Sequence, residues 1–269
     1  MIYADHTKKL LLAATVCLGM GISYLSWLKV SPIGSVLFMN YGVDHDRAGL
    51  IEQINAGLVL LAVAGLFFQR SRLWAAGFLI LFTVTLVWAE VDQGGYPFSD
   101  YAFAAYAMRL ATPLAFLFVF SGFLKTRHPQ MTDQFVKWVL IAATCMTFTI
   151  HGLEAIWAHP WFIDMTIGLA GKTIGWRASQ SLVEQMLLVV GIVDIGSAIA
   201  LLLFRSRMAV LWMAFWGFFT CFLRIVNYGF GALPDVLIRL PHGMLPLVLY
   251  VILQNEPRPF TYINPIKDQ

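Results

Sequence analysis

The chain has 269 residues, of which 59% are hydrophobic and only 12% charged. Soluble domains carry roughly 25% charged residues, so this composition excludes an ordinary water-soluble globule and points to an all-α, polytopic membrane helix bundle. The formal charge of +3 is spread along the chain without a basic patch, which excludes nucleic acid as a partner and leaves the lipid bilayer as the first one.

The first apolar run follows Lys8 and Lys9, is as long as a full span and lacks a small-residue cleavage site, so it reads as an uncleaved helix. In chain order the apolar runs predict about eight spans, near 10–29, 53–69, 73–91, 102–124, 137–157, 183–204, 208–228 and 237–254. The tracts between them alternate in Lys/Arg content. Lys8, Lys9, Arg70, Arg72, Lys125, Arg127, Lys137, Arg205, Arg207, Arg258 and Lys267 fall on one side, eleven of the 18 basic residues. Lys29, Arg47, Lys172, Arg177 and Arg239 fall on the other. The positive-inside rule then places both termini in the cytoplasm and the protein in a cytoplasmic (inner) membrane, with the long loops 30–52 and 158–182 facing outward.

The chain also echoes itself. LIEQ at 50–53 corresponds to LVEQ at 182–185, FFQRSR ending at Arg72 to LLFRSR ending at Arg207, and RLATPLAFL from Arg109 to HGMLPLVLY from His242. The matches are collinear, which divides the chain into two four-helix repeats, 1–128 and 129–269, within one integrated membrane domain. An even number of helices per repeat gives both the same orientation, related by an axis along the membrane normal. Glu90 then matches Arg224, Arg109 matches His242, and His151 matches Ser23 or Ile22.

Ionisable residues within spans are costly and face the bundle interior. Here they are Glu90, Arg109, His151, Glu154, Asp194, Arg224 and His242. All except Asp194, which sits near mid-depth, fall in the outer half of the bilayer, predicting one polar layer beneath the outer loops. His151 and Glu154, at i and i+3, share a helix face, on which His151 serves as proton donor or acceptor with Glu154 orienting it. A structural alternative pairs Glu154 with Arg109 or Arg224. Glu90 and Arg224 are read as an ion pair between the repeats, and Arg109 and His242 as groups holding an anionic or quinone-like head group. Asp194 is a further ligand candidate, with Ser197 or a neighbouring helix as its structural partner.

His159-Pro160 ends a helix. The tract DHD at 44–46, with His159 and Asp164, has no specific metal spacing and reads as solvated loop, so no metal site is assigned. His151 and His242 would be the axial pair for a haem b, a weak signal set against quinone as the candidate cofactor. Cys17, Cys145 and Cys221 lie in separate apolar runs and form no CxxC pair. No GxxxxGK[ST], HExxH or GxSxG motif is present, and the last helix has no Lys for a retinal Schiff base.

The stretch GLEAIWAHPWF, the helix that starts near Glu184 with GIVDIGSAIALLLFRSR, and the first-half echo GLVLLAVAGLFFQRSR resemble the DoxX/DoxD-like group of small four-helix membrane proteins. The resemblance implies a membrane subunit linked to redox chemistry and the quinone pool, as in thiosulfate:quinone oxidoreductase, here as two fused units. Three functions stay open: a redox-associated or ligand-binding subunit with an outer-leaflet pocket for a quinone-like or small amphipathic ligand; a non-catalytic accessory or scaffold subunit held to other membrane subunits or to itself; and a small-solute transporter, against which stands the lack of clear Gly/Pro-broken helices at matched positions.

Overall fold

Apolar runs of this length satisfy their backbone polar groups only as helices, and in the computed structural model every regular element is helical among the described residues, 5–28, 31–94, 97–121 and 129–255. Lys29, Lys125, Arg127, Arg258 and Lys267 lie outside those residues, as does residue 128, where the first half is drawn to end. The helices are α1 (Asp5–Trp27), α2 (Pro32–Met39), α3 (His45–Gly65), α4 (Arg72–Gln93), α5 (Ala102–Ala105), α6 (Ala107–Phe120), α7 (Pro129–Ile156), α8 (Pro160–Ile174), α9 (Gln180–Phe204), α10 (Arg207–Tyr228), α11 (Leu233–Arg239) and α12 (Pro241–Gln254). Turns of 3₁₀ helix, Ser99–Tyr101 and Gly229–Ala232, lead into α5 and α11.

Among the described residues seven stretches are long and apolar enough to cross a membrane, so the chain is a multi-pass membrane protein. The seventh, Arg207–Gln254, has 48 residues and contains α10, α11 and α12, which is where the last two expected spans fall.

The long loops 30–52 and 158–182 differ most from the sequence expectation. Both contain helix. Pro32 and Pro160 each stand at the first position of a short helix, where a missing N–H costs nothing. His159 caps α8, its Nδ1 accepting from the Trp161 backbone N–H at 3.1 Å. The DHD tract is the start of α3: Asp44 accepts from the N–H groups of Asp46 and Arg47 and pairs with the Arg47 side chain at 3.0 Å. Helix α3 therefore begins at His45 instead of near residue 53. Lys137 is likewise no loop residue, because α7 begins at Pro129 and buries it.

The centre of the bundle is built by α1, α6, α7 and α12, which pack on one another, while α3 with α4 and α9 with α10 flank them. One apolar core, running from Leu11 and Leu18 through Phe116 and Leu140 to Leu245 and Leu249, crosses from the first half of the chain into the second. Close approach is made by small residues, as helix packing in lipid requires. A Cβ on Gly152 would meet the carbonyl of Gly191 between α7 and α9, and one on Gly217 would meet the carbonyl of His242 between α10 and α12. Trp74, Leu81, Phe204 and Met208 point outward toward the hydrocarbon.

The order long helix, short helix, two long helices, 3₁₀ turn, broken helix occurs twice. Gly94 and Gly229, both at positive φ, end α4 and α10. Arg72 Nε donates to the Leu66 carbonyl and its guanidinium lies 4.8 Å over the Phe120 ring. Arg207 reaches the Leu253 carbonyl at the end of α12 in the same manner.

Candidate functional site

The expected polar layer exists as two cavities, not one. The first, of about 290 Å³, is walled by α1, α2, α4, α6 and α11 and carries Glu90, Tyr106, Arg109, Asp235 and Arg239. The second, of about 280 Å³, lies among α7, α8, α9, α10 and α12 and carries His151, Asp194, Arg224, Arg239 and His242 on walls otherwise aromatic and aliphatic, Phe148 and Phe162 among them. Arg239 alone of these charged groups faces both.

The break between α5 and α6 at Tyr106 and that between α11 and α12 at Leu240 position the polar groups. Tyr106 donates its hydroxyl to Glu90 Oε1 at 3.1 Å. The Arg109 guanidinium, one turn on, lies 3.8 Å over the Tyr106 ring and leaves Nε buried with no partner. In the second half the break brings Arg239 and His242 to opposite ends of a short, kinked segment.

His151 and Glu154 meet as their i,i+3 spacing requires: His151 Nδ1 and Glu154 Oε2 are 2.6 Å apart, with the side chains 21% and 13% exposed. Glu154 thus takes its own helix neighbour, and the alternative pairing with Arg109 or Arg224 is not made. Because Nδ1 faces the carboxylate, the opposite nitrogen, Nε2, turns to the second cavity, where it is buried and unpartnered. With the Nδ1 proton donated to Glu154, Nε2 presents a lone pair; a second proton makes it a donor. His242 stands next to it, the ring centroids 5.7 Å apart, and its Nε2 is also buried without a partner.

Two expectations fail on geometry. Glu90 and Arg224 form no ion pair, because α4 and α10 flank the central helices without packing on each other. Glu90 binds Tyr106, and the Arg224 guanidinium lies 4.1 Å over the Trp161 ring of α8. Arg109 and His242, expected to grip one head group together, face different cavities. Asp194 is where the sequence puts it, buried on α9. Its neighbour is the Trp216 indole of α10 and not Ser197, and its Oδ1 has no partner.

Tyr106, Arg239 and Asp235 are not among the mid-span charges, because Tyr106 is uncharged, Asp235 sits where a loop is expected and Arg239 stands at the start of the last expected span, counted with the outer tracts. The internal echo holds the missing signal: the offset that relates Arg109 to His242 relates Tyr106 to Arg239. Glu52 is a further omission. Buried near the start of α3, it accepts the Ser31 N–H at 3.0 Å together with the Ser31 hydroxyl, so it anchors the entry to α2.

Among the described residues no group of three or more His, Cys, Asp or Glu is placed to hold a metal ion, and Cys17, Cys145 and Cys221 are free thiols. No family model matches the chain, nor does any curated protein or solved structure.

Proposed function

We propose that this multi-pass membrane protein binds a small amphipathic ligand with a quinone-like head group in the second cavity. One observation carries the reading. His151 Nε2, His242 Nε2, Asp194 Oδ1 and Arg224 Nε are all buried and unpartnered, and all four side chains line the same apolar-walled space. A buried polar atom without a partner costs about 1–3 kcal/mol, so a ligand that satisfies several at once gains that much on binding. His151 Nε2 and Asp194 accept from a hydroxyl; Arg224 and His242 donate to a carbonyl. A quinol ring laid between Phe148 and Phe162 fits that pattern, since each hydroxyl donates to one partner and accepts from another. Glu154 would orient His151 and hold the proton on Nδ1, so a quinol hydroxyl could pass its proton to Nε2.

The positive-inside pattern sets this cavity toward the outer leaflet of a cytoplasmic membrane with both termini inside. The doubled element order, with its matching helix ends at Gly94 and Gly229, supports an origin by tandem duplication of a four-helix unit. The resemblance to the DoxX/DoxD-like group points toward the same quinone chemistry.

The test is titration of the purified protein in lipid nanodiscs with a short-chain ubiquinone analogue and its quinol. Wild type is expected to bind at micromolar concentration. His151→Ala should weaken quinol binding at least tenfold, or about 1.4 kcal/mol, at unchanged folded yield. Glu154→Gln should weaken it less. No saturable binding by wild type, or equal binding by His151→Ala, defeats the reading and leaves the polar layer a structural brace of an accessory subunit.

A second reading is favoured by a specific feature. Helices broken at Tyr106 and Leu240, one in each half and each beside a cavity, are the arrangement transporters use to build solute sites. The chain has no clear Gly/Pro breaks at matched positions, and the breaks at Tyr106 and Leu240 are what support this reading. Uptake of a labelled solute into proteoliposomes, lost when Arg239 is replaced, distinguishes transport from simple binding.

A further inference from the structure

The first cavity is separate from the site proposed above, and its chemistry differs. Glu90 projects from α4, Arg109 from α6, and Asp235 and Arg239 from α11. Two cations and two anions face one space whose remaining wall includes Leu18, Ile22 and Leu86. Their formal charges cancel, yet among the described residues none of the four makes an ion pair with another. Asp235 and Arg239, at i and i+4 on one helix face, could have closed on each other and do not. Among the described residues the only direct hydrogen bond that Glu90 accepts comes from Tyr106. The Arg109 guanidinium rests its flat face on the same Tyr106 ring and keeps Nε buried and unpartnered.

Opposite charges placed around a gap, and not across a contact, complement an occupant that carries both signs. A lone anion drawn to Arg109 and Arg239 would meet Glu90 and Asp235. A lone cation would meet the reverse. An uncharged ring satisfies neither. We infer that the first cavity is a binding site for a small zwitterion, its anionic group held by Arg109 and Arg239 and its ammonium group by Glu90 and Asp235. Tyr106 positions the site from below, fixing the Glu90 carboxylate by its hydroxyl and the Arg109 plane by its ring. Such a ligand has two sources, a free solute or the head group of an aminoalkyl phospholipid, and the shared chemistry is one ammonium joined to one phosphate or carboxylate.

The probe is phosphoethanolamine, titrated into the full chain in phosphatidylglycerol nanodiscs by calorimetry, with inorganic phosphate and ethanolamine as its two halves. Phosphoethanolamine is expected to bind at least tenfold tighter than either half. Glu90→Gln and Arg109→Gln should each lose at least tenfold, with far-UV melting curves reporting that they are folded. If those variants fail to fold, the ranking of the three probes on wild type decides. Phosphate alone binding as tightly as phosphoethanolamine overturns the zwitterion assignment, and so does binding by none of the three. A repeat in phosphatidylethanolamine nanodiscs identifies the source: loss of phosphoethanolamine binding there means a lipid head group already occupies the cavity, and unchanged binding means a free solute. Because the ubiquinone titration reads the second cavity, failure of either proposal leaves the other standing.

Discussion

The two cavities are nearly equal in volume, about 290 and 280 Å³, and both are touched by α11, but they present opposite chemistry. The first is polar, ringed by charges of both signs and organised by one tyrosine. The second is an apolar slot in which isolated polar atoms wait without partners. The difference resides in the side chains on the walls: Glu90, Tyr106, Arg109 and Asp235 face the first cavity, and His151, Asp194, Arg224 and His242 the second. A helix scaffold allows walls of such different character because its backbone hydrogen bonds are internal to each helix, leaving the side chains to set the chemistry.

The largest loss is expected at a helix contact in the wall of the second cavity. Gly217→Leu drives a side chain into the His242 carbonyl and should destabilise the bundle by about 3 kcal/mol, seen as a large fall in thermal midpoint in detergent. Gly77→Leu on α4, where nothing lies within 4 Å, should be neutral or slightly stabilising in the same assay. Equal losses would mean that the two sides are not packed differently.

Next in size is Asp194→Asn. A buried carboxyl oxygen without a partner is expensive, so the amide should leave the folded yield unchanged or raise it by about 1 kcal/mol while weakening quinol binding about tenfold. A fall in yield with binding intact would show that Asp194 braces helices. Phe98 joins the halves. Held at φ 71, it stacks on Trp157 with centroids 5.3 Å apart and planes 1° from parallel. Phe98→Ala should cost about 1 kcal/mol and shift tryptophan fluorescence, and Phe98→Gly should recover part of the stability because glycine accepts that backbone freely. The smallest effect separates two equivalent serines. Ser206 caps α10 by accepting from the Ala209 N–H, whereas Ser71 turns away from its helix to donate to the Gly65 carbonyl. Ser206→Ala should cost about 1 kcal/mol in a melting curve, and Ser71→Ala about half as much.

Much of the fold is legible in the sequence because a bilayer leaves the chain few options. Long apolar runs must be helices, and charges inside them must face inward. The His151–Glu154 pair is legible too, since an i,i+3 contact depends only on helix geometry. The loops misled for a local reason. Ser31-Pro32 and His159-Pro160 are helix starts, but the helices they open are too short to announce themselves as spans. The Glu90–Arg224 pairing misled for a distant one: correspondence along the chain does not mean contact across it.

Readable from the chain alone were a multi-pass helical membrane protein, most of the ionisable groups inside its spans, and the His151–Glu154 pair within one helix. All of these follow from hydrophobicity and a fixed 3.6-residue period. Only the tertiary structure decided that those groups divide between two cavities, that Arg239 faces both, that Arg109 and Arg224 rest on aromatic rings, and that His151 and His242 stand together. Those outcomes depend on which helix faces meet and on where α6 and α12 break, and both are set by the packing of side chains far apart in the chain.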